Sequence, residues 1–215
     1  MSASGLSETG KTRARRLVRV LKKRYGIIPW WPGDCDEVMI GAILTQQTRW
    51  ENVVRALAEL HRRDLCTLSA IQRADAQEIE EAIRCTGFYR MKTARLKSLA
   101  AFVNECGGMG RMTDMPTPVL REGLLNVHGI GEETADSILC YAFSRPSFVI
   151  DAYTDRMVRC MGVTEPKNQL KNLFESVMPG DNLTYRQTHA HIVEYAKEFC
   201  GKKRCDACIL VNSNG

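Results

Sequence analysis

Apolar positions recur at helical spacing along most of the chain. Leu17, Val20 and Leu21 open an i, i+3, i+4 stripe inside a basic run of Arg13, Arg15, Arg16, Arg19, Lys22, Lys23 and Arg24, which predicts an amphipathic helix with a charged outer face. Val38 to Leu44 is an apolar helix ending in the polar break Thr45-Gln46-Gln47-Thr48-Arg49-Trp50, and Val53, Val54, Leu57 and Leu60 then resume the period. Asp75-Ala76-Gln77-Glu78 has the form of a capping box and starts a helix through Ile83. Thr86 to Lys92 is a loop that opens the helix of Ala94, Leu96, Leu99, Ala100 and Val103, and Gly107 to Pro118 reads as a flexible connection. Two further helices are carried by Leu170, Leu173, Phe174 and Val177, then by His191, Ile192, Tyr195 and Ala196. No long stretch alternates at period two and no repeat is visible, so the expected fold class is all-α.

Between Leu124-Leu125 and the helical stripe of Ala135, Ile138, Leu139 and Ala142 stand Gly129 and Gly131. Helix, glycine hairpin, helix is the natural reading. Glycine permits positive φ and a close backbone approach, and amides at a helix N-terminus can hold a phosphate without reading bases. A plain turn between two core helices has the same pattern. Past the hairpin, the apolar run Phe148-Val149-Ile150 leads to Asp151. An aspartate there suits an N-cap for the helix of Met157, Val158 and Met161, and it equally suits an ionised carboxylate at a cleft edge.

Composition narrows the class. A 215-residue chain can bury a core as one large domain or two lobes. Its net charge of +5 is compatible with nucleic acid, and no stretch approaches the eighteen or so apolar residues of a membrane span. The N-terminal seventeen residues carry arginines without an apolar core, so no secretory signal is expected; a short disordered tail running into the basic helix is the reading, with a transit peptide as the alternative, and a cytoplasmic location is expected. Trp30-Trp31, between Pro29 and Pro32, are adjacent rings that cannot easily both face inward. They read as a lid over the core or as a stacking surface for a flat base.

Taken together, Trp-Trp-Pro at 30–32, Leu-Thr-Gln-Gln-Thr at 44–48, Gly-Phe-Tyr at 87–89, Gly-Ile-Gly-x-Glu-x-Ala-Asp at 129–136 and the following Asp151 resemble the helix-hairpin-helix DNA glycosylase superfamily that contains endonuclease III, and especially its 3-methyladenine branch. The resemblance spans roughly Tyr25 to Cys208. It implies two helical lobes with a DNA-binding cleft between them: residues 38–142 as the central lobe, and 1–37 with 143–215 as a discontinuous second lobe. It places Asp151 as the catalytic carboxylate and Trp30, Trp31, Trp50, Glu133 and Tyr153 around the base. Gln47, Phe88, Tyr89, His128, Gly129, Gly131 and Thr134 fall on DNA, although Phe88 and Tyr89 would equally suit a core.

Where bifunctional members carry a Schiff-base lysine, this chain has Glu133. A carboxylate forms no imine, so water becomes the nucleophile and strand cleavage is not expected. Glu133 and the tryptophans favour a cationic, alkylated purine. Excision of uracil or mismatched thymine is the alternative within enzymes, and a non-catalytic DNA-binding module is the alternative outside them. The expected partner is double-stranded DNA with a damaged base, bound by a nucleoid-associated monomer.

Of nine cysteines, Cys200-x4-Cys205-x2-Cys208 alone have metal-ligand spacing. Family members hold a four-iron four-sulfur (4Fe-4S) cluster there through Cys-x6-Cys-x2-Cys-x5-Cys. Here the first gap is shorter and the last position is Asn214. A cluster completed by Asn214, a distant cysteine or an external ligand, a metal-free knuckle, and zinc with His189 or His191 all remain open on the sequence.

Overall fold

The computed structural model describes residues 6–31 and 33–212. Its helices are α1 (Glu8–Tyr25), α2 (Cys35–Leu44), α3 (Trp50–Arg62), α4 (Leu68–Arg73), α5 (Ala76–Ile83), α6 (Tyr89–Glu105), α7 (Met109–Asp114), α8 (Thr117–Asn126), α9 (Glu132–Ser137), α10 (Ala152–Cys160), α11 (Lys167–Glu175), α12 (Asn182–Tyr195) and α13 (Ile209–Asn212). No strand occurs among the described residues, and none of their helices is long and apolar enough to cross a membrane. The chain divides into a central unit, residues 31–145, and a terminal unit built from both ends, 1–30 and 146–215.

In the central unit α2 is buried along its length from Val38 to Leu44, and α6 packs against α2, α4 and α5. Such an all-apolar helix can only be an inner one. Trp31 falls in this unit, its ring packed with Trp50 and Tyr141. The hairpin helices α8 and α9 are joined by a two-pronged ion pair, Arg121 to Asp136 at 2.9 and 3.1 Å, with Asp136 buried. Asp75 caps α5 by accepting from the Gln77 amide at 2.7 Å, one residue short of the expected capping box.

Two expectations need correction here. The connection after Gly107 contains α7, because Met112 is fully buried and the Arg145 guanidinium holds the carbonyls of Thr113 and Met115. Helix α6 starts at Tyr89, inside the stretch read as a loop.

In the terminal unit α1 packs against α11 and α12, burying Gly10, Ala14, Leu17 and Leu21, and α10 packs against α12. The extended run before Asp151 has no strand neighbour, so side chains of α11 satisfy its backbone. Glu175 accepts from the Phe148 amide at 2.9 Å, and Lys171 donates to the Phe148 carbonyl at 3.1 Å. Phe148 itself stacks on Phe174 at 4.7 Å.

Candidate active site

Asp151 is the N-cap of α10 and is 8% exposed. One carboxylate oxygen, Oδ1, accepts from the amide and the hydroxyl of Thr154, both at 2.7 Å. The other, Oδ2, lies 3.5 Å from His189 Nε2 on α12. Burial pushes this carboxyl up, but the hydrogen bond and charge of His189 and the two Thr154 donors outweigh it and hold Asp151 below the usual carboxylate range. The cap fixes Oδ1 and leaves Oδ2 beside His189. His189 does not join the cysteines. Nor does His191, which pairs with the Gly26 carbonyl at 2.7 Å and stacks on Tyr25.

The predicted base-binding residues divide between the units. Trp31 and Trp50 meet edge-to-face at 5.2 Å, with Tyr141 at 5.7 Å from Trp31. Tyr141 sits on a π-turn, Ile138–Ala142, that continues α9, a local widening common at functional positions. Trp31 has φ +49, a left-handed backbone that costs energy outside glycine. Its ring rests on Gly41, where an added Cβ would lie 2.5 Å from Cζ2. Among the described residues its Nε1 is buried without a hydrogen-bond partner. Glu133, exposed in the first turn of α9, belongs to the same unit. Trp30 and Tyr153 belong to the terminal unit. Trp30 lies under the Lys197 ammonium at 5.2 Å, and Tyr153 is exposed on the first turn of α10.

The residues expected on DNA fall on three segments of the central unit, the 45–48 break, the start of α6 and the hairpin into α9. Gln47 (φ +54) and Phe88 (φ +46) are both left-handed and exposed, Phe88 to 60%. Tyr89 is half-buried beneath Arg84 and Arg90, at 5.2 and 5.9 Å. Buried Lys92 ties the two loops together, donating to Leu44 O at 2.8 Å at the end of α2 and to Thr86 O at 3.0 Å. Desolvation and then Arg95 lower its ammonium to about 8.

At the hairpin the neighbour of Gln47 proves to be the buttress. Gln46 donates to Gly129 O and to Thr134 Oγ1, each at 3.1 Å, and accepts from Arg95. The two glycines have different reasons. Gly129 has φ +84 and a Cβ there would meet Arg95 at 2.4 Å, whereas Gly131 is extended and a Cβ there would meet nothing within 4 Å. His128 is exposed beside them, while Thr134 is buried and turned inward to Gln46.

Cys200, Cys205 and Cys208 line one cavity of about 230 Å³, together with Cys160, Phe199 and Leu210. The donors suit a thiolate-bound metal group and the walls are largely apolar. Asn214 lies outside the described residues.

Residues 40–179 match the model of the HhH-GPD superfamily of base excision DNA repair proteins, and the chain belongs to that superfamily. The chain is 44% identical over 201 residues to a candidate DNA repair glycosylase of Methanocaldococcus jannaschii, covering 90% of this chain and 91% of the relative. It is 26% identical over 186 residues to endonuclease III of Thermotoga maritima, covering 83% and 82%. The solved H. pylori 3-methyladenine DNA glycosylase bound to 1,N6-ethenoadenine matches with TM-score 0.77 at 28% identity, over 86% of this chain and 97% of that one. The all-helical, two-lobed protein described above is a DNA-binding repair enzyme of the glycosylase class.

Sequence reasoning gave no role to Gln46, Lys92, Arg95, Arg121, Asp136 or Tyr141, although Gln46 and Asp136 stood within its motifs. Each is a supporting residue whose partner is distant in the chain, and a single sequence carries no mark of that.

Proposed function

We propose that this enzyme removes alkylated purines, of the 3-methyladenine type, as a monofunctional glycosylase: the base leaves its sugar and water takes its place. The observation that carries the reading is the aromatic group of Trp31, Trp50 and Tyr141, with Trp31 held in a strained backbone on Gly41. A flipped base stacks on such rings, and a cationic one gains further from their π faces. A positively charged purine is already a good leaving group, so no strong general acid is required.

Departure of the base leaves an oxocarbenium-like sugar, which an ionised carboxylate stabilises. Asp151, held in its charged form, supplies that charge. Water then adds at the anomeric carbon and gives its proton to Asp151 Oδ2, with His189 placed to carry it onward. Glu133 offers no amine, so no imine forms and no β-elimination follows.

A panel of duplexes carrying 3-methyladenine, 1,N6-ethenoadenine, uracil or a thymine mismatch tests the reading, together with borohydride trapping. Free alkylated purine without strand nicking is expected. Nicking, or a borohydride-trapped adduct, would refute the water mechanism. The buried donor Nε1 of Trp31 favours a second reading, since a neutral pyrimidine is chosen by hydrogen bonds more than by charge. Faster release of uracil or mismatched thymine than of 3-methyladenine would select it.

A further inference from the structure

Four cysteines, one more than the C-terminal motif supplies, border the cavity of the terminal unit. Cys160 is the last residue of α10, forty positions before Cys200, and it lines the same 230 Å³ space as Cys200, Cys205 and Cys208. Met157, three residues before Cys160 on α10, lines the same space, so one face of the end of this helix borders the cavity. Cys200 itself ends a π-turn, Ala196–Cys200, that continues α12 and rotates its last residues relative to an α-helix. We propose that Cys160 is the fourth protein ligand of a four-iron four-sulfur cluster seated in this cavity, taking the role that the linear motif leaves to Asn214.

Several features fit that assignment. Thiolates are the ligands such clusters use, one to each iron. A single zinc ion at about 2.3 Å from each sulfur would need the sulfurs within about 4 Å of one another. Among the described residues, no three of these four sulfurs lie within 4.8 Å of each other. As placed, the four sulfurs do not make a single-zinc site. Met157, Phe199 and Leu210 give the walls an apolar surface, Cys160 and Cys205 are exposed at its edge, and Arg204 in the same lining offsets negative charge. The Tyr195 hydroxyl donates to Cys208 Sγ at 3.3 Å, the kind of bond that tunes such a centre. Ligation is redox-neutral: the Cys160 thiol gives its proton to solvent, and its sulfur bonds one iron of a cluster delivered already assembled, displacing the donor's thiol from that iron, which leaves protonated.

The consequence reaches the candidate catalytic residue. Asp151 caps the first turn of α10 and Cys160 closes its last, about 14 Å along the helix axis. A cluster ligated by Cys160 therefore anchors the far end of the helix that carries the carboxylate.

The test compares the protein as purified with Cys160→Ala, Cys160→Ser and the control Cys85→Ala, reading iron, acid-labile sulfide, visible absorbance and EPR. About four irons per chain are expected for the wild type and for Cys85→Ala. Cys160→Ala should lose the cluster or hold a three-iron form with its own EPR signal, and Cys160→Ser should keep iron with a shifted absorbance. Thiol labelling of the wild type needs no variant to fold: Cys160 should stay protected with the other three until a chelator strips the iron, while exposed Cys35 reacts at once. An iron-free wild type, an unchanged spectrum in Cys160→Ala, or labelling of Cys160 as fast as Cys35 in iron-loaded protein would each overturn the proposal.

Discussion

Replacing Asp151 by asparagine separates the two duties of this side chain. The amide oxygen of asparagine can accept the Thr154 amide and hydroxyl as Oδ1 does now, at 2.7 Å each, so the cap of α10 survives and stability should fall by no more than about 1 kcal/mol. The charge does not survive. A carboxylate about 4 Å from a developing sugar cation, at an effective dielectric near 20, contributes roughly 4 kcal/mol, or about a thousandfold in rate.

The stability effect has a pH signature. Because the folded-state carboxyl sits below its usual value of 3.8, its charge adds stability that is fully present above that value and is lost as pH falls through the depressed one. The unfolding curves of the two proteins should therefore differ at neutral pH and converge in acid below pH 3.8. Single-turnover release of 3-methyladenine, with urea unfolding and DNA affinity measured in parallel, is the assay. A variant that folds, binds DNA and releases base within tenfold of the wild-type rate would refute the role of Asp151 as the catalytic charge.

The hairpin glycines should separate by readout. Gly129→Ala, strained at φ +84 and blocked by Arg95, should lower the Tm by several degrees, whereas Gly131→Ala should leave it unchanged and weaken DNA binding as measured by fluorescence anisotropy; equal Tm losses would count against a DNA-facing Gly131. Asp136→Ala leaves Arg121 without its two-pronged partner and should cost about 3 kcal/mol in urea unfolding; a loss under 1 kcal/mol would show that the ion pair does not hold the hairpin helices. Gly41→Ala pushes its Cβ into the Trp31 ring and should raise KM for the damaged base severalfold while DNA affinity stays constant, and an unchanged KM would remove Trp31 from the base site.

Much of the local structure was legible because its determinants are close in sequence. The 3.6-residue period gives the helices, and the capping aspartates at 34, 75, 151 and 181 all bind amides two or three residues ahead. The short helix α7 was missed because one buried residue, Met112, and an arginine thirty-two positions away stabilise it. The site shows the same limit. Gln46 and Gln47 are neighbours of one type, and only the packing of the 45–48 break against the hairpin separates an inward buttress from an exposed, left-handed Gln47.

The sequence alone determined the all-helical class, the superfamily, the cap at Asp151 and the absence of a lysine at Glu133, since these rest on residue identity, periodicity and contacts within one helical turn. Tertiary structure alone decided that His189 stands beside Asp151, that Trp31 leans on Gly41 and Tyr141 while Trp30 goes with the terminal unit, and that Cys160 joins the three C-terminal cysteines. The physical reason is packing between elements far apart in the chain. It places side chains against one another by shape and burial, and the spacing of residues in a linear sequence does not record it.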